Sequence, residues 1–467
     1  MTADAVTAQL PAGFKVRGRA DVRRVDNGRA LVGGSPVRVV RMTPRAVSIL
    51  SDGEVMVEDA ATERLARQLL DGNLADPVLP EATVSVSHMT VVVPVRDRAT
   101  QLQQCLAALS PLRVIVVDDD SVDSAPVERA ARRFGADYIR LAVNVGPAGA
   151  RNAGLGRVTT PLVAFVDSDV TVEAQALLAL ARHCADPRVA LVGPAVVGMS
   201  RSRRPRWFER YDVAASSLDL GKVGGQVRPG AAIGWLPSAC LVGRTDLLDG
   251  GFDDLMRVGE DVDLVWRLTD LGRVVRYDPS IVAHHDVLPT ATGWLGRKFI
   301  YGTGGADLAE RHGSRVAPAA LSSVMAVGAA ALLSRRRWSP VVAGAAMAIS
   351  ARLLYRALPL EHDRMDLSQR LSVRGMGWAL RQESGLLLRH WWPLTLVATL
   401  VSHTARRAVL TSLVIDTVVF MNERQGIDLV TVLVARRADD LAYGAGLWVG
   451  ALRAGSIRCL MPRRPSK

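Results

Sequence analysis

At 467 residues the chain is too long for one ordinary hydrophobic core, so two or more domains are expected. Its 58 Lys and Arg outweigh 46 Asp and Glu, and the net charge of +12 suits an anionic partner such as a nucleotide, an acidic lipid surface or nucleic acid. The four cysteines form no CxxC pair, which argues against a zinc site or a disulfide framework, and the N-terminal stretch shows no apolar core of a secretory signal.

The first region runs over residues 1–80. "DVRRVDNGRALVGG" reads as a hairpin whose turn is supplied by "DNG", and "PVRVVRM" follows as a third strand. Thr43-Pro44 reads as an N-cap with proline at the first helical position, and Gly53 as the end of that helix. A second helix from Asp59 to Gly72 places Leu65, Ala66, Leu69 and Leu70 on one face. Strands with two or three helices suggest a small winged-helix-like α+β module. The plainest role is a structural cap, and a basic winged helix can bind DNA. Peptide binding at an exposed strand edge is the preferred reading, and nucleic acid is not the expected partner.

The second region, residues 88–296, alternates apolar strands with helices, the mark of a largely parallel α/β sheet covered on both faces. "MTVVVPV", "LRVIVVDDDS" and "PLVAFVDSD" are continuous apolar strands, separated by helical segments such as "QLQQCLAAL". In such sheets ligands bind at the carboxyl ends of the strands. Pro94, Arg96 and Asp97, then Asp118 and Asp119, then Asp167, Ser168 and Asp169 fall at three such ends.

These clusters match the needs of a sugar-nucleotide transferase. Asp97 and Asp119 can accept hydrogen bonds from a base N–H or ribose hydroxyls. On an ideal strand Asp167 and Asp169 share one face, and Mn²⁺ or Mg²⁺ carrying a diphosphate is expected between them; a surface turn is the alternative. "NVGPAGARNAGL" begins at Asn144 and runs into a helix from which Arg151 can offer a guanidinium to base or phosphates. Gly250-Gly251 permit a tight turn before Glu260, Asp261 and Asp263, which sit near a helix start. They are either dipole-capping groups or, for Asp261, the general base for an acceptor hydroxyl. His284, at a strand end, is a candidate third metal ligand.

The third region, residues 297–467, is rich in Ala, Leu and Val with arginine clusters. The uncharged run Val316–Ser334 approaches spanning length and is followed by Arg335-Arg336-Arg337. A spanning hairpin, helices lying on the membrane surface with Trp391 and Trp392 at the headgroups, and a buried helical subdomain are all compatible; membrane association is the expectation.

"VVVPVRDR", "VIVVDDDSVD", "NVGPAGARNAGL", "VAFVDSDV" and "GEDVDLVWRL", in that order, resemble a family 2 glycosyltransferase with a GT-A (Rossmann-like) fold. The resemblance implies that Asp119 contacts uracil, that Asp167 and Asp169 form a DxD motif and that Asp261 is the base. It places Trp235, Gly250, Gly251 and Asp263 on the acceptor side. The QxxRW motif of processive synthases is missing, which argues against a polymer-extruding channel. The whole layout is similar to the mycofactocin-system glycosyltransferases, whose front domain is a PqqD-like peptide-recognition module. It implies β-linked glucose moved from UDP-glucose onto a peptide-derived redox cofactor; the absent signal segment and the expected membrane association set the expected location at the cytoplasmic face of the membrane. The rivals are a rhamnosyl- or galactosyl-type transferase acting on a cell-envelope glycan, and a catalytically inactive membrane-tethered scaffold.

Overall fold

A computed structural model describes residues 8–81, 84–248, 250–424 and 426–465. The chain divides into two compact units. One holds the chain up to Arg24, Gly28–Arg201 and Ser216–Val287; the other holds Val25–Asn27, Ser202–Ala215 and the chain from Leu288 onward.

The front of the first unit contains β1 (Lys15–Gly18), β2 (Arg23–Val25), β3 (Ala30–Gly33), β4 (Arg38–Arg41), α1 (Pro44–Ile49), β5 (Glu54–Met56), α2 (Ala60–Asp71) and β6 (Ala75–Val78). Thr43 caps α1 through its hydroxyl, with Pro44 at the first position. That helix ends at Ile49, before the Gly53 turn. Asp59 and Thr62 close a reciprocal capping box on α2. The buried face of α2, Leu65, Ala66, Leu69 and Leu70, packs with Val16, Leu31, Val55 and Leu74 into a core separate from that of the main sheet. The hairpin and third strand form the sheet β2-β3-β4, and β5-β1-β6 form a second one. β1, β5 and β6 are three or four residues long and partly charged, so no alternation marks them in the sequence. The described front residues thus hold two helices on two small sheets.

The main sheet is built from β7 (Met89–Val95), α3 (Ala99–Leu109), β8 (Arg113–Asp118), α4 (Ala125–Arg133), β9 (Asp137–Arg140), α5 (Gly146–Leu155), β10 (Leu162–Val166), β11 (Val170–Thr171), α6 (Ala174–Ala181) and β12 (Val189–Met199). After α7 (Trp207–Ala214) come β13 (Gly225–Val227), β14 (Cys240–Arg244), α8 (Glu260–Asp270) and β15 (Val274–Asp286). The strand order is β11-β15-β12-β14-β10-β7-β8-β9, with β13 on β15. β9, β8, β7 and β10 are parallel, whereas β14 runs against both β10 and β12. From β7 the chain steps outward to β8 and β9, then returns to β10 on the other side. This reversal opens a crevice at the carboxyl ends of β7, β8 and β10.

The second unit is helical: α7, then α9 (Ala291–Thr303), α10 (Gly305–His312), α11 (Ser323–Ser334), α12 (Ser339–Ala357), α13 (Arg364–Gly385), α14 (Trp392–Val401), α15 (His403–Glu423) and α16 (Leu429–Arg453). The expected near-spanning run Val316–Ser334 is not one helix. Ser322 caps α11 and Arg335, in the left-handed region, ends it after 12 residues. Twelve residues rise about 18 Å, short of a hydrocarbon core about 30 Å thick. Among the described residues no helix is long and apolar enough to cross a membrane. α9 and α16 approach backbone to backbone: a Cβ at Gly446 would lie 1.9 Å from the Phe299 carbonyl oxygen, and one at Gly450 2.4 Å from that of Thr303. Phe208, Tyr211, Trp294 and Phe420 form an aromatic cluster in this unit.

Candidate active site

The crevice is lined first by the turns that follow β7 and β8. Pro94 is buried within β7, and Arg96 is exposed just beyond it. Asp97 has a φ of 56°, accepts a hydrogen bond from the Val122 amide at 2.8 Å and donates its own to Ser121 Oγ. This ties the two strand ends together. Asp118 is wholly buried and is consumed by the Ser121 amide and the Tyr138 hydroxyl. It is a structural carboxylate rather than one facing a nucleotide, because the last residue of β8 points into the core. Asp119 accepts from Asn144 Nδ2, the Val145 amide and the Gly146 amide at 2.7–2.9 Å. It seals the start of α5, where a carboxylate also gains from the helix dipole. Asn144 in turn accepts from Arg257.

β10 stops at Val166, and Asp167-Ser168-Asp169 form a turn, closed by the Val170 amide on the Asp167 carbonyl. The strand-face expectation fails for that reason. Ser168 is buried, and the two carboxylates take different partners. Asp167 Oδ1 accepts from Arg151 Nη2 at 2.6 Å, while Arg151 Nη1 reaches Glu260 Oε1 at 3.1 Å. Arg151 is only 2% exposed and lies over the Phe252 ring. Burial disfavours its charge, but Asp167 and Glu260 outweigh that and hold its pKa above the ordinary value. The expectation that Arg151 contacts base or phosphate is corrected. It is an internal brace between the strand-end turn and α8, because α5 packs flat on the sheet and turns this side chain inward.

Asp169 is bridged to Arg98, and its Oδ2 lies 3.6 Å from His285 Nε2. His284, the residue expected to complete a metal shell, is exposed. Strand alternation explains this correction. Ala283 and His285 share the buried face of β15, and pairing with β11 sets Val170 opposite His285. Among the described residues no three His, Cys, Asp or Glu side chains are gathered as a resident metal requires. Asp169 and His285 do fit a cation that takes two protein ligands and fills its shell with diphosphate oxygens and water.

Glu260 and Asp261 open α8. Glu260 is buried against Arg151, whereas Asp261 is half-buried and receives the Val262 amide at 2.8 Å and the Ser238 amide at 3.3 Å. Burial first, then the negative charge of Glu260, push the Asp261 pKa up to about 7. Asp263 was expected on the acceptor side. It is buried and paired with Arg267 at 2.7 Å, one helical turn on, and so braces α8 internally. Gly250 and Gly251 both have positive φ. A Cβ on Gly251 would sit 2.3 Å from Asn152 Oδ1, whose amide pairs with both backbone groups of Phe252. Gly251 serves that docking contact, whereas Gly250 is exposed with open space beside it. Trp235 is half-buried on the segment leading to Ser238.

Arg98, Arg257, Ser238 and His285 were not among the residues expected from the sequence. For His285 the signal was present, since Ile281, Ala283 and His285 alternate inward. The others act through pairings 23 to 113 residues distant in the chain, which local pattern does not show.

The family model described as Glycosyl transferase family 2 matches residues 90–234. The pre-mycofactocin glycosyltransferase of Mycobacterium tuberculosis (strain H37Rv) is 39% identical over 469 residues, spanning 97% of this chain and 98% of that protein. The chain belongs to the pre-mycofactocin glycosyltransferase family. It is a family 2 glycosyltransferase, and its main sheet is the GT-A-like α/β fold. Glycosyltransferase AglE of Haloferax volcanii is 25% identical over 221 residues, covering 44% of this chain and 69% of that one. The mannosyltransferase PcManGT from Pyrobaculum calidifontis, solved in complex with GDP-Man and Mn²⁺, superposes with a TM-score of 0.42 at 17% identity, over 77% of this chain and 87% of that one. The pre-mycofactocin glycosyltransferase match takes in nearly the whole chain, whereas the family 2 match stops at residue 234.

Proposed function

We propose that this glycosyltransferase moves glucose from UDP-glucose, with inversion, onto a peptide-derived small molecule of the kind named by its Mycobacterium tuberculosis relative. The observation that carries the reading is Asp261. It is a half-buried carboxylate pushed to about 7 beside Glu260, and Arg151 links that neighbour to the Asp167 turn. A carboxylate of ordinary acidity is a weak base for an alcohol, and this shift brings one into the working range. The acceptor hydroxyl gives its proton to Asp261 as its oxygen bonds to the sugar C1. The bond from C1 to the diphosphate breaks, and UDP leaves with that electron pair. Asp169 and His285, with Asp167 close by, would hold Mn²⁺ or Mg²⁺, which when bound supplies positive charge to the diphosphate. Glu260 stays paired with Arg151 and supplies the field that keeps Asp261 basic. The front module, whose sheet β2-β3-β4 takes no further strand on β2 or β4 among the described residues, is read as the peptide-recognising part.

The test is UDP release from UDP-glucose with purified protein, Mn²⁺ or Mg²⁺ and the peptide-derived acceptor. Acceptor- and metal-dependent release, lost in Asp169→Ala and Asp261→Asn, supports the reading. Release only with another sugar nucleotide or only with an envelope glycan moves the assignment to the rival transferase. Wild-type inactivity with every donor and acceptor favours the scaffold.

We also propose that the helical unit lies on an anionic membrane surface at its cytoplasmic face. Leu394, Val397, Leu400 and Val401 on α14 and Leu410, Val414 and Val418 on α15 are all more than half exposed. Arg335, Arg336, Arg337, Arg406 and Arg407 are exposed in the same unit. Apolar rows flanked by arginines suit in-plane docking to acidic lipid. Co-sedimentation with anionic but not zwitterionic phospholipid vesicles, weakened by Leu400→Glu, is expected; equal recovery with and without vesicles overturns it.

A further inference from the structure

We infer that the front module positions the acceptor-side loop, and through it Asp261, for transfer, so that Asn73 and Ser35 are positioning residues of the reaction. This rests on the reading of Asp261 as the base.

The loop connects β13 to β14 over residues 228–239 and ends beside the site. β13 is only three residues long and pairs with β15 on one edge. The backbone groups that a further strand would take are met by one side chain. Asn73 Oδ1 accepts from the Gln226 amide at 2.6 Å, and Asn73 Nδ2 donates to the Gln226 carbonyl at 3.1 Å. Asn73 is 4% exposed and has a φ of 53° just past the end of α2. Gly225 leaves it room: a Cβ there would lie 2.8 Å from Asn73 Oδ1. Arg19 adds a bond to the Gly224 carbonyl at 2.8 Å.

The front module then grips the loop itself. The Ser35 carbonyl accepts from Arg228 at 3.1 Å, and Ser35 Oγ accepts from the Ala232 amide at 2.5 Å. The far end of the loop belongs to the catalytic helix. Trp266 of α8 donates to the Gly234 carbonyl at 2.7 Å, and the Ser238 amide donates to Asp261 Oδ2. A 12-residue loop fastened at one end to Ser35 and Asn73 and at the other to Asp261 transmits displacement, because the part-buried backbone groups at Gln226, Gly234 and Ser238 exchange partners only at a cost, with the Ala232–Ser35 bond an exposed addition. The acceptor-recognising module is thereby joined to the base.

The experiment uses the full chain carrying Asn73→Gly, which keeps the left-handed backbone and removes the amide. UDP affinity by calorimetry, melting temperature, kcat, acceptor KM and the pH midpoint of kcat are measured. Expected are unchanged UDP affinity, a kcat lowered about tenfold, a raised acceptor KM, and a pH midpoint moved upward as Asp261 loses the Ser238 donor. Asn73→Asp, which retains the acceptor oxygen for Gln226, recovers part of the loss. Ser35→Ala, a milder cut should Asn73→Gly fail to fold, shows the same changes at smaller amplitude. Variants that melt earlier yet keep wild-type kcat, KM and pH midpoint overturn the inference. Full activity in Asp261→Asn overturns the base reading itself, independently of the Asn73 variants.

Discussion

Both units bury charge, and they bury it differently. In the helical unit Lys298 sits between Asp212 and Asp439, Arg389 between Asp439 and Asp440, and Arg437 between Asp440 and Asp416. Each of these four carboxylates faces at least one cation, whereas Glu383 in the same unit has none among the described residues and is pushed up to about 8 by burial alone. At the crevice, Arg151 takes Asp167 and Glu260, but Asp261 is left with two amides and a like-charged neighbour. Dense cross-pairing makes a brace. At the crevice burial and Glu260 outweigh the backbone donors and the charge of Arg151, and the Asp261 carboxyl holds its proton up to about 7.

The sharpest way to break this contrast is Asp261→Asn. A kcat loss of about 10²–10⁴-fold is expected, the range of general base catalysis, with UDP affinity intact. The wild-type kcat should rise with pH up to about 7 and then level off. Stability should move the other way. The folded carboxyl holds its proton more tightly than the unfolded one, so ionisation opposes folding, and wild-type stability falls as pH rises from about 3.8 to about 7. Thermal melts across that range should show the slope in wild type and its reduction in the variant.

Next comes Arg389→Leu, which takes one cation from both Asp439 and Asp440 and leaves them to Lys298 and Arg437. Breaking a buried pair costs about 3–5 kcal/mol, so a clearly lower denaturation midpoint is expected, with donor KM of the folded protein unchanged. A kinetic loss without destabilisation would erase the distinction between brace and base. Smaller again is His285→Ala, for which the Mn²⁺ concentration giving half-maximal activity should rise about tenfold, a change near 1.4 kcal/mol. His284→Ala should leave it unchanged. The reverse pattern would place the metal on the outer face of β15.

Much of this site was readable before the fold. The apolar runs of β7, β8 and β10 each end in carboxylates, and a buried parallel strand leaves its polar residues only at its ends. Glu260-Asp261 before Leu264, Val265 and Leu268 announced a helix start. Which carboxylate stays free was not readable. Asp118 and Asp263 have the same chemistry as Asp261, and only Tyr138, Ser121 and Arg267 remove them from the site. Nor was it visible that α7, lying between β12 and β13 in the chain, packs with the C-terminal helices.

Local periodicity and turn chemistry settle element type, because the neighbours that decide helix or strand lie within a few residues. They were enough here for the parallel sheet, the strand-end acidic clusters and the capped helices. Partner choice was left to tertiary structure: Arg151 between Asp167 and Glu260, His285 rather than His284 beside Asp169, Asn73 in place of a strand on β13. Each depends on register and on contacts 16 to 153 residues apart, where one step of strand alternation or one helical turn changes the partner.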